Sequence, residues 1–459
     1  MRLLSRSLVL MTVASTCAMT CAGWAAEVSR GIYSLGAGRD NPNTPQDERL
    51  AGIRDYDFVS GFTMRVFWTD IESTEGNYDF SVIDAAIQSV AALGQGFNLE
   101  ILNGEEPAYV LSGASATYLD HRGGTNPVPW DPFAQQRMAA LRSALANHVV
   151  TGSGSPHPLN ADPTLRSIDS SPVGLNFGVR DLNSGIRNHP DYTQQRYIDA
   201  VADGVADSAA AFPNDTNFLA FFGFTDGQPG TPVDDQIIQR LAPLYNGPGE
   251  AKLDFFVENL SDDGPVPLGS GSSPGNNLVD WVNMGGDSMI QALDSWLQHQ
   301  PDREPQLDSH NPATGIQLAY NNYGTRFFEL YVADLDGANS GALDSAGQPL
   351  IDDLRAWSST LTAAVTVPGD YNADGAVDGA DYVVWRKRLG STEPLPNDDT
   401  PGVDASDYQR WRANFGQSTG AGQLTGTYAS VPEPATIFIL LAGVGTCVCL
   451  RRRTRSLSS

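Results

Sequence analysis

Residues 64–87 run Met64-Arg65-Val66-Phe67-Trp68-Thr69-Asp70-Ile71-Glu72, then Glu75-Gly76-Asn77-Tyr78-Asp79-Phe80, then Ile83-Asp84-Ala85-Ala86-Ile87. A second apolar run, Phe97-Asn98-Leu99-Glu100-Ile101-Leu102, leads into Asn103-Gly104-Glu105-Glu106-Pro107, and Pro127-Val128-Pro129-Trp130-Asp131-Pro132 follows. The apolar runs are short and contain β-branched and aromatic residues, as strands do, while 81–93 repeats apolar residues at helical spacing. Strand, loop, helix, strand, loop, helix is a βαβ unit, which implies parallel strands joined by a crossover helix.

The same alternation extends in both directions. Strand-like runs fall at 31–35, 62–68, 97–102, 173–179, 218–225, 253–260, 315–320 and 327–332. Helical patterns at 81–93, 133–148, 193–211, 234–244, 278–298 and 349–363 separate most of them, although the last two strands have only a short link. This pattern predicts an α/β fold, a (β/α)8 barrel of the TIM type over 27–366. An open α/β sheet is the competing architecture, but no Gly-rich phosphate loop follows the first strand.

Composition narrows the function. The chain has 459 residues, 41% of them hydrophobic, and a formal net charge of -26. So acidic a balance argues against nucleic acid, which needs a basic face. All four cysteines, Cys17, Cys21, Cys447 and Cys449, lie in terminal apolar segments. The body between them therefore has no disulfide framework, zinc site or cysteine nucleophile. Residues 1–26 read as a secretory signal: Arg2 and Arg6 begin it, an apolar middle follows, and Gly23-Trp24-Ala25-Ala26 supplies small residues for cleavage.

The series Arg65, Trp68, Glu72, Gly76, Tyr78, Asp79, Phe80 and Asp84 resembles the second βα unit of glycoside hydrolases built on a (β/α)8 barrel. The resemblance lies nearest to the β-galactosidase-like and endoglucanase-like retaining enzymes. It implies an exported protein acting on polysaccharide or oligosaccharide, with O-glycosyl hydrolysis by paired carboxylates as the chemistry. Substrate would meet the ends of the strands, where Arg65, Trp68, Glu105, Trp130 and Tyr320 are the candidate contacts, with Glu329 inside the last strand and able to point into the barrel. Aromatic planes suit the apolar faces of sugar rings, and polar groups suit their hydroxyl edges.

The chain departs from the family at the catalytic positions. Such enzymes carry Asn-Glu at the end of strand four and a second Glu ending strand seven. Neither 175–187 nor 315–322, the segments expected there, contains a Glu. Glu258 and Asp181 are the candidate catalytic carboxylates, with Glu329 and Glu105 in reserve. Glu258 follows Phe255-Phe256-Val257, where desolvation would raise its pKa. The alternative is a catalytically inactive barrel that binds glycan or serves as a surface-displayed interaction protein.

At Pro368 the character changes. Asp370-Tyr371-Asn372-Ala373-Asp374-Gly375-Ala376-Val377-Asp378-Gly379-Ala380-Asp381 places oxygen ligands at loop positions 1, 3, 5, 9 and 12. The Ala376 carbonyl falls at position 7, and glycine at position 6 permits the sharp turn. Val403 to Gly416 then repeats Val377 to Gly390, but counting back from Asp407 puts Pro396 at position 1, Thr400 at position 5 and Pro401 at position 6. This duplicated loop-helix unit, 367–418, resembles a dockerin, a small all-α calcium module. The resemblance implies Ca2+ on Asp370, Asn372, Asp374, Ala376, Asp378 and Asp381, a weak or empty second site around Asp404 and Asp407, and either a cohesin-like partner or a purely structural spacer.

A flexible linker, 419–430, precedes Val431-Pro432-Glu433-Pro434, a hydrophobic tail, and Arg451-Arg452-Arg453. The apolar stretch is shorter than the roughly 20 residues of an ordinary span. Segment 431–459 resembles the PEP-CTERM sorting signal of exosortase systems. That implies transient anchoring in the membrane, an exosortase-type processing enzyme as a partner, and a cell-envelope or extracellular destination; a plain tail anchor is the alternative.

Overall fold

The computed structural model of this chain describes residues 29–35, 50–102, 106–120, 123–152, 154–175, 184–214, 216–221, 225–246, 253–302, 304–363, 367–372, 377–398, 400 and 402–417. The expected signal, linker and sorting tail lie outside the described residues.

Eight strands make the barrel: β1 Gly31–Leu35, β2 Gly61–Phe67, β3 Gly96–Leu102, β4 Leu165–Asp169, β5 Thr216–Ala220, β6 Leu253–Leu260, β7 Asp287–Ala292 and β8 Phe327–Tyr331. Each pairs in parallel with the next, and β8 pairs with β1 over five residues, so the sheet closes. The main helices on its outside are α1 Ser81–Ala92, α2 Pro132–Ala146, α3 Gln194–Ala211, α4 Val233–Tyr245, α5 Pro274–Asn283, α6 Pro312–Tyr323 and α7 Leu350–Thr362.

Period-two patterning explains the closure. On β2 and β3, Phe62, Met64, Val66, Phe97, Leu99 and Ile101 join Ile83, Ile87 and Val90 of α1 in one buried cluster. The alternate residues line the barrel. Its lower half is apolar, a cluster of Tyr33, Phe218, Phe256, Met289 and Phe327. Gly61 and Gly96 leave room for the Tyr33 side chain, because a Cβ on Gly61 would fall 2.3 Å from its ring and one on Gly96 2.4 Å from its hydroxyl. The upper half is polar, and this half carries the site.

Two strands differ from expectation. Strand four is Leu165–Asp169, not 173–179. Val173 and Leu175 are buried, but Gly174 between them has φ +79° and lies against the Pro127 carbonyl, so the described part of this run is a packed loop. Strand seven is Asp287–Ala292, not 315–320. Residues 315–320 belong to α6, which Asn311 caps through Ala313 N and which ends at Gly324 with φ +70°. The helix expected over 278–298 stops at Asn283, and Gly285-Gly286 turns the chain into β7. The missing link between the last two strands is therefore α6.

Beyond the barrel, α8 Gly379–Arg388 and α9 Ala405–Asn414 pack around Tyr371, Trp385, Leu395 and Val403. Their contacts are reciprocal, as the sequence repeat requires. Trp385 Nε1 donates to Asp404 O at 2.8 Å, and Trp411 Nε1 to Asp378 O at 2.6 Å. Val377 N donates to Gln417 O and Val403 N to Ser391 O.

Candidate active site

Arg65 on β2 stands in register with Glu100 on β3, and its Nε donates to Glu100 Oε2 at 2.6 Å. Its Nη2 donates to Gln291 Oε1 on β7 and lies 3.7 Å from Glu258 Oε1 on β6 and 4.0 Å from Glu329 Oε2 on β8. Burial works against the guanidinium charge, but Glu100 and Glu329 outweigh it and raise the pKa above its ordinary value. One cation thus gathers three glutamates from three strands.

Glu329 sits deepest and is fully buried. Its Oε1 accepts from Thr63 Oγ1 and Asn98 Nδ2, both at 2.8 Å, while Asn98 Oδ1 accepts from Ser167 Oγ at 2.6 Å. Burial and then the Glu100 charge push its pKa up to about 8, against the pull of Arg65. Asp169 ends β4 and accepts from Ser171 N at 2.8 Å. Burial pushes it up to about 6 despite that hydrogen bond and the charge of Arg142.

Glu258 is the more open of the three acids about Arg65, its side chain 12% exposed against 7% for Glu100 and none for Glu329. Because Glu258 Oε1 and Glu329 Oε2 approach the same nitrogen, they are at most about 8 Å apart, short of the widest spacing of glycosidase carboxylate pairs. Acids of unequal proton affinity at the strand ends can divide acid and base work between them.

The expected site residues fare unequally. Arg65, Glu258 and Glu329 come together. Asp181 and Glu105 lie outside the described residues. Trp68 is fully buried, and its indole donates to Glu72 Oε2, which also takes Arg137 at 2.6 Å. That tryptophan is core, out of reach of any sugar. Tyr320 lies on α6, outside the barrel, with its ring 5.4 Å from Trp357. Trp130 is half-buried against His189 and Tyr192. Corrected strands four and seven end in Asp169-Ser170-Ser171 and Gln291-Ala292, so neither ends in Glu.

Glu100 and Asp169 escaped the sequence reading. Their signal was alternation: Asn98 and Glu100 between Phe97, Leu99 and Ile101, and Ser167 and Asp169 flanking Ile168. A polar residue at every second position of an apolar run marks a barrel lining.

In the C-terminal module, Asp370, Asn372, Asp378 and Asp381 are described, while Asp374 and Ala376 are not. Asp381 closes the first loop, accepting from Tyr371 N at 2.7 Å, Asn372 N at 3.0 Å and Asp378 N at 2.8 Å. The second loop is built differently. Arg410 pairs with Asp398 Oδ1, and Thr400 Oγ1 donates to Asp398 at 2.7 Å and Asp407 at 3.1 Å. Asp404 caps α9 through Ser406 N. Among the described residues, no group of three or more acidic, histidine or cysteine side chains converges as a metal site would require.

No family model matches the chain, and no curated protein matches it. Solved structures resemble it at low identity. The catalytic domain of a β-amylase from Paenibacillus polymyxa is 13% identical, with 72% of this chain and 98% of that one covered at a TM-score of 0.45. An endo-1,4-β-mannanase from Rhizomucor miehei is 10% identical, over 72% of this chain and 95% of that one, at 0.43. A β-galactosidase from Bacillus circulans sp. alkalophilus is 10% identical, over 73% and 57%, at 0.41. These are similarities of fold, and the strand pairing described above establishes the closed barrel independently of them.

Proposed function

We propose that the barrel hydrolyses O-glycosidic bonds of a polysaccharide, with Asp169 as the general acid and Glu258 as its carboxylate partner. The observation that supports this is the division of acids in the mouth: Asp169 is raised to about 6 by burial, while Glu258 stands 3.7 Å from a buried guanidinium. Asp169 would give its proton to the leaving oxygen as the glycosidic bond breaks. Glu258 would take a proton from the attacking water, or attack the anomeric carbon itself. Asp169 ends strand four, where barrel chemistry sits, and in this reading it takes the place of Asp181 as the partner of Glu258 and takes the acid role expected of Glu258.

The test is release of reducing ends from a panel of soluble polysaccharides. Asp169→Asn and Glu258→Gln are each expected to lower kcat by about a hundredfold or more. Wild-type rates from both variants would remove this pair.

A second reading has its own observation. Gln291-Ala292 ends strand seven, and Ser170-Ser171 follow strand four, where the retaining enzymes of the resemblance carry their glutamates. A barrel so altered would bind or display glycan without cleaving it. Glycan retention with no release of reducing ends would support it.

For the rest of the chain we infer a calcium-binding loop at 370–381 and an exported, initially membrane-held protein. Where bound, calcium would lie on Asp370, Asn372, Asp374, Asp378, Asp381 and the Ala376 carbonyl, tying the loop to α8. A cohesin-like partner and an exosortase-type processing enzyme belong to this reading.

A further inference from the structure

The two halves of the C-terminal module differ most where a cation would sit, and the differences are coordinated. Aligning Asp381 with Asp407 puts Val384 of α8 opposite Arg410 of α9. The half with a complete set of loop ligands has an apolar residue at that helix position. The half that has lost its carboxylates at loop positions 1 and 5 has a guanidinium.

The losses are physical ones. Pro396 replaces Asp370 at position 1 and brings no side-chain oxygen. Pro401 replaces Gly375 at position 6 and cannot take the left-handed backbone that glycine allows there. Thr400 replaces Asp374 and spends its hydroxyl on Asp398 and Asp407, binding the two acids to each other. The Asp398 side chain has no exposed surface, and its Oδ1 takes Arg410 Nη1. A buried carboxylate needs a positive partner, and Arg410 supplies it from inside the chain.

We propose that Arg410 stands permanently in the place of a metal in the second loop, so that this half of the module folds without calcium. The reading of the second loop is independent of calcium binding by the first. It also accounts for Asn397, whose side-chain amide crosses to the Asp370 carbonyl at 2.9 Å. The metal-free loop thereby braces position 1 of the other.

The experiment uses the full chain, with calcium stoichiometry from native mass spectrometry and amide exchange in calcium and in chelator. The wild type is expected to bind one ion per chain, and exchange across 403–417 is expected to change less than about twofold between buffers. Arg410→Val, which copies the first half, is expected to speed exchange there about tenfold or more in both buffers, with Arg410→Lys between the two. Two ions per chain in the wild type would overturn the proposal. So would wild-type exchange in Arg410→Val, or a chelator-dependent 403–417 segment. No bound calcium together with a protected 403–417 would remove the first-loop reading and leave the Arg410 proposal standing.

Discussion

The polar half of the barrel rests on a few groups whose charges depend on one another. Glu329 illustrates this best, because its pKa of about 8 lies above the ordinary 4.5 it regains on unfolding. The folded state therefore holds the proton more tightly than the unfolded one. Its stabilising contribution is complete below pH 4.5 and is lost as pH rises through 8. Glu329→Gln keeps an oxygen for Thr63 and Asn98 but cannot ionise. Its stability relative to wild type is expected to increase between pH 4.5 and 9, by a few kcal/mol at about 1.4 kcal/mol for each tenfold change in proton affinity. Urea denaturation across that range measures it, and parallel curves for the two proteins would contradict the assignment. Neither the depth of Glu329 nor its partners could be read from its position in Phe327-Phe328-Glu329-Leu330. The sequence placed it on a strand, but only barrel closure sets it beside Thr63 and Asn98.

Elements were legible where propensity, capping and packing agree. Helix α2 begins at Pro132 because Asp131 caps it, its Oδ1 accepting from Ala134 N at 3.0 Å. The other oxygen holds Ser115 through both its amide and its hydroxyl, at 2.8 and 2.6 Å. Asp131→Ala should cost about 2 kcal/mol, the upper end for a cap, because it frees buried donors on two segments. Asp131→Asn should recover part of that in chemical denaturation; equal losses would place the stabilisation elsewhere. The misread elements failed for opposite reasons. The apolar run 315–320 fits a strand by composition, yet the Asn311 cap and Gly324 turn make it the middle of a helix. Strand β4 is poor in apolar residues because its inward side chains line a polar site. Polarity that serves the mouth hides the strand that carries it.

At the scale of the whole molecule, the proposed export and tail processing make a prediction that needs no knowledge of substrate. Envelope-associated protein should lack residues 436–459 in intact-mass measurement, and a retained C-terminus would favour a plain anchor. By itself the sequence determined the barrel class, the internal repeat of the C-terminal module, and the placing of Arg65 and Glu258 near strand ends and of Glu329 within the last strand. Hydrophobic periodicity and loop chemistry are local properties, and they survive in the sequence. Tertiary structure decided which residues meet. Arg65, Glu100, Glu258, Gln291 and Glu329 come from five strands spread over more than 260 positions, and they converge because strand pairing sets their register. It also decided which tryptophan was core and which aspartate ends strand four. Register and burial depend on every strand at once, so no local stretch of the chain contains them.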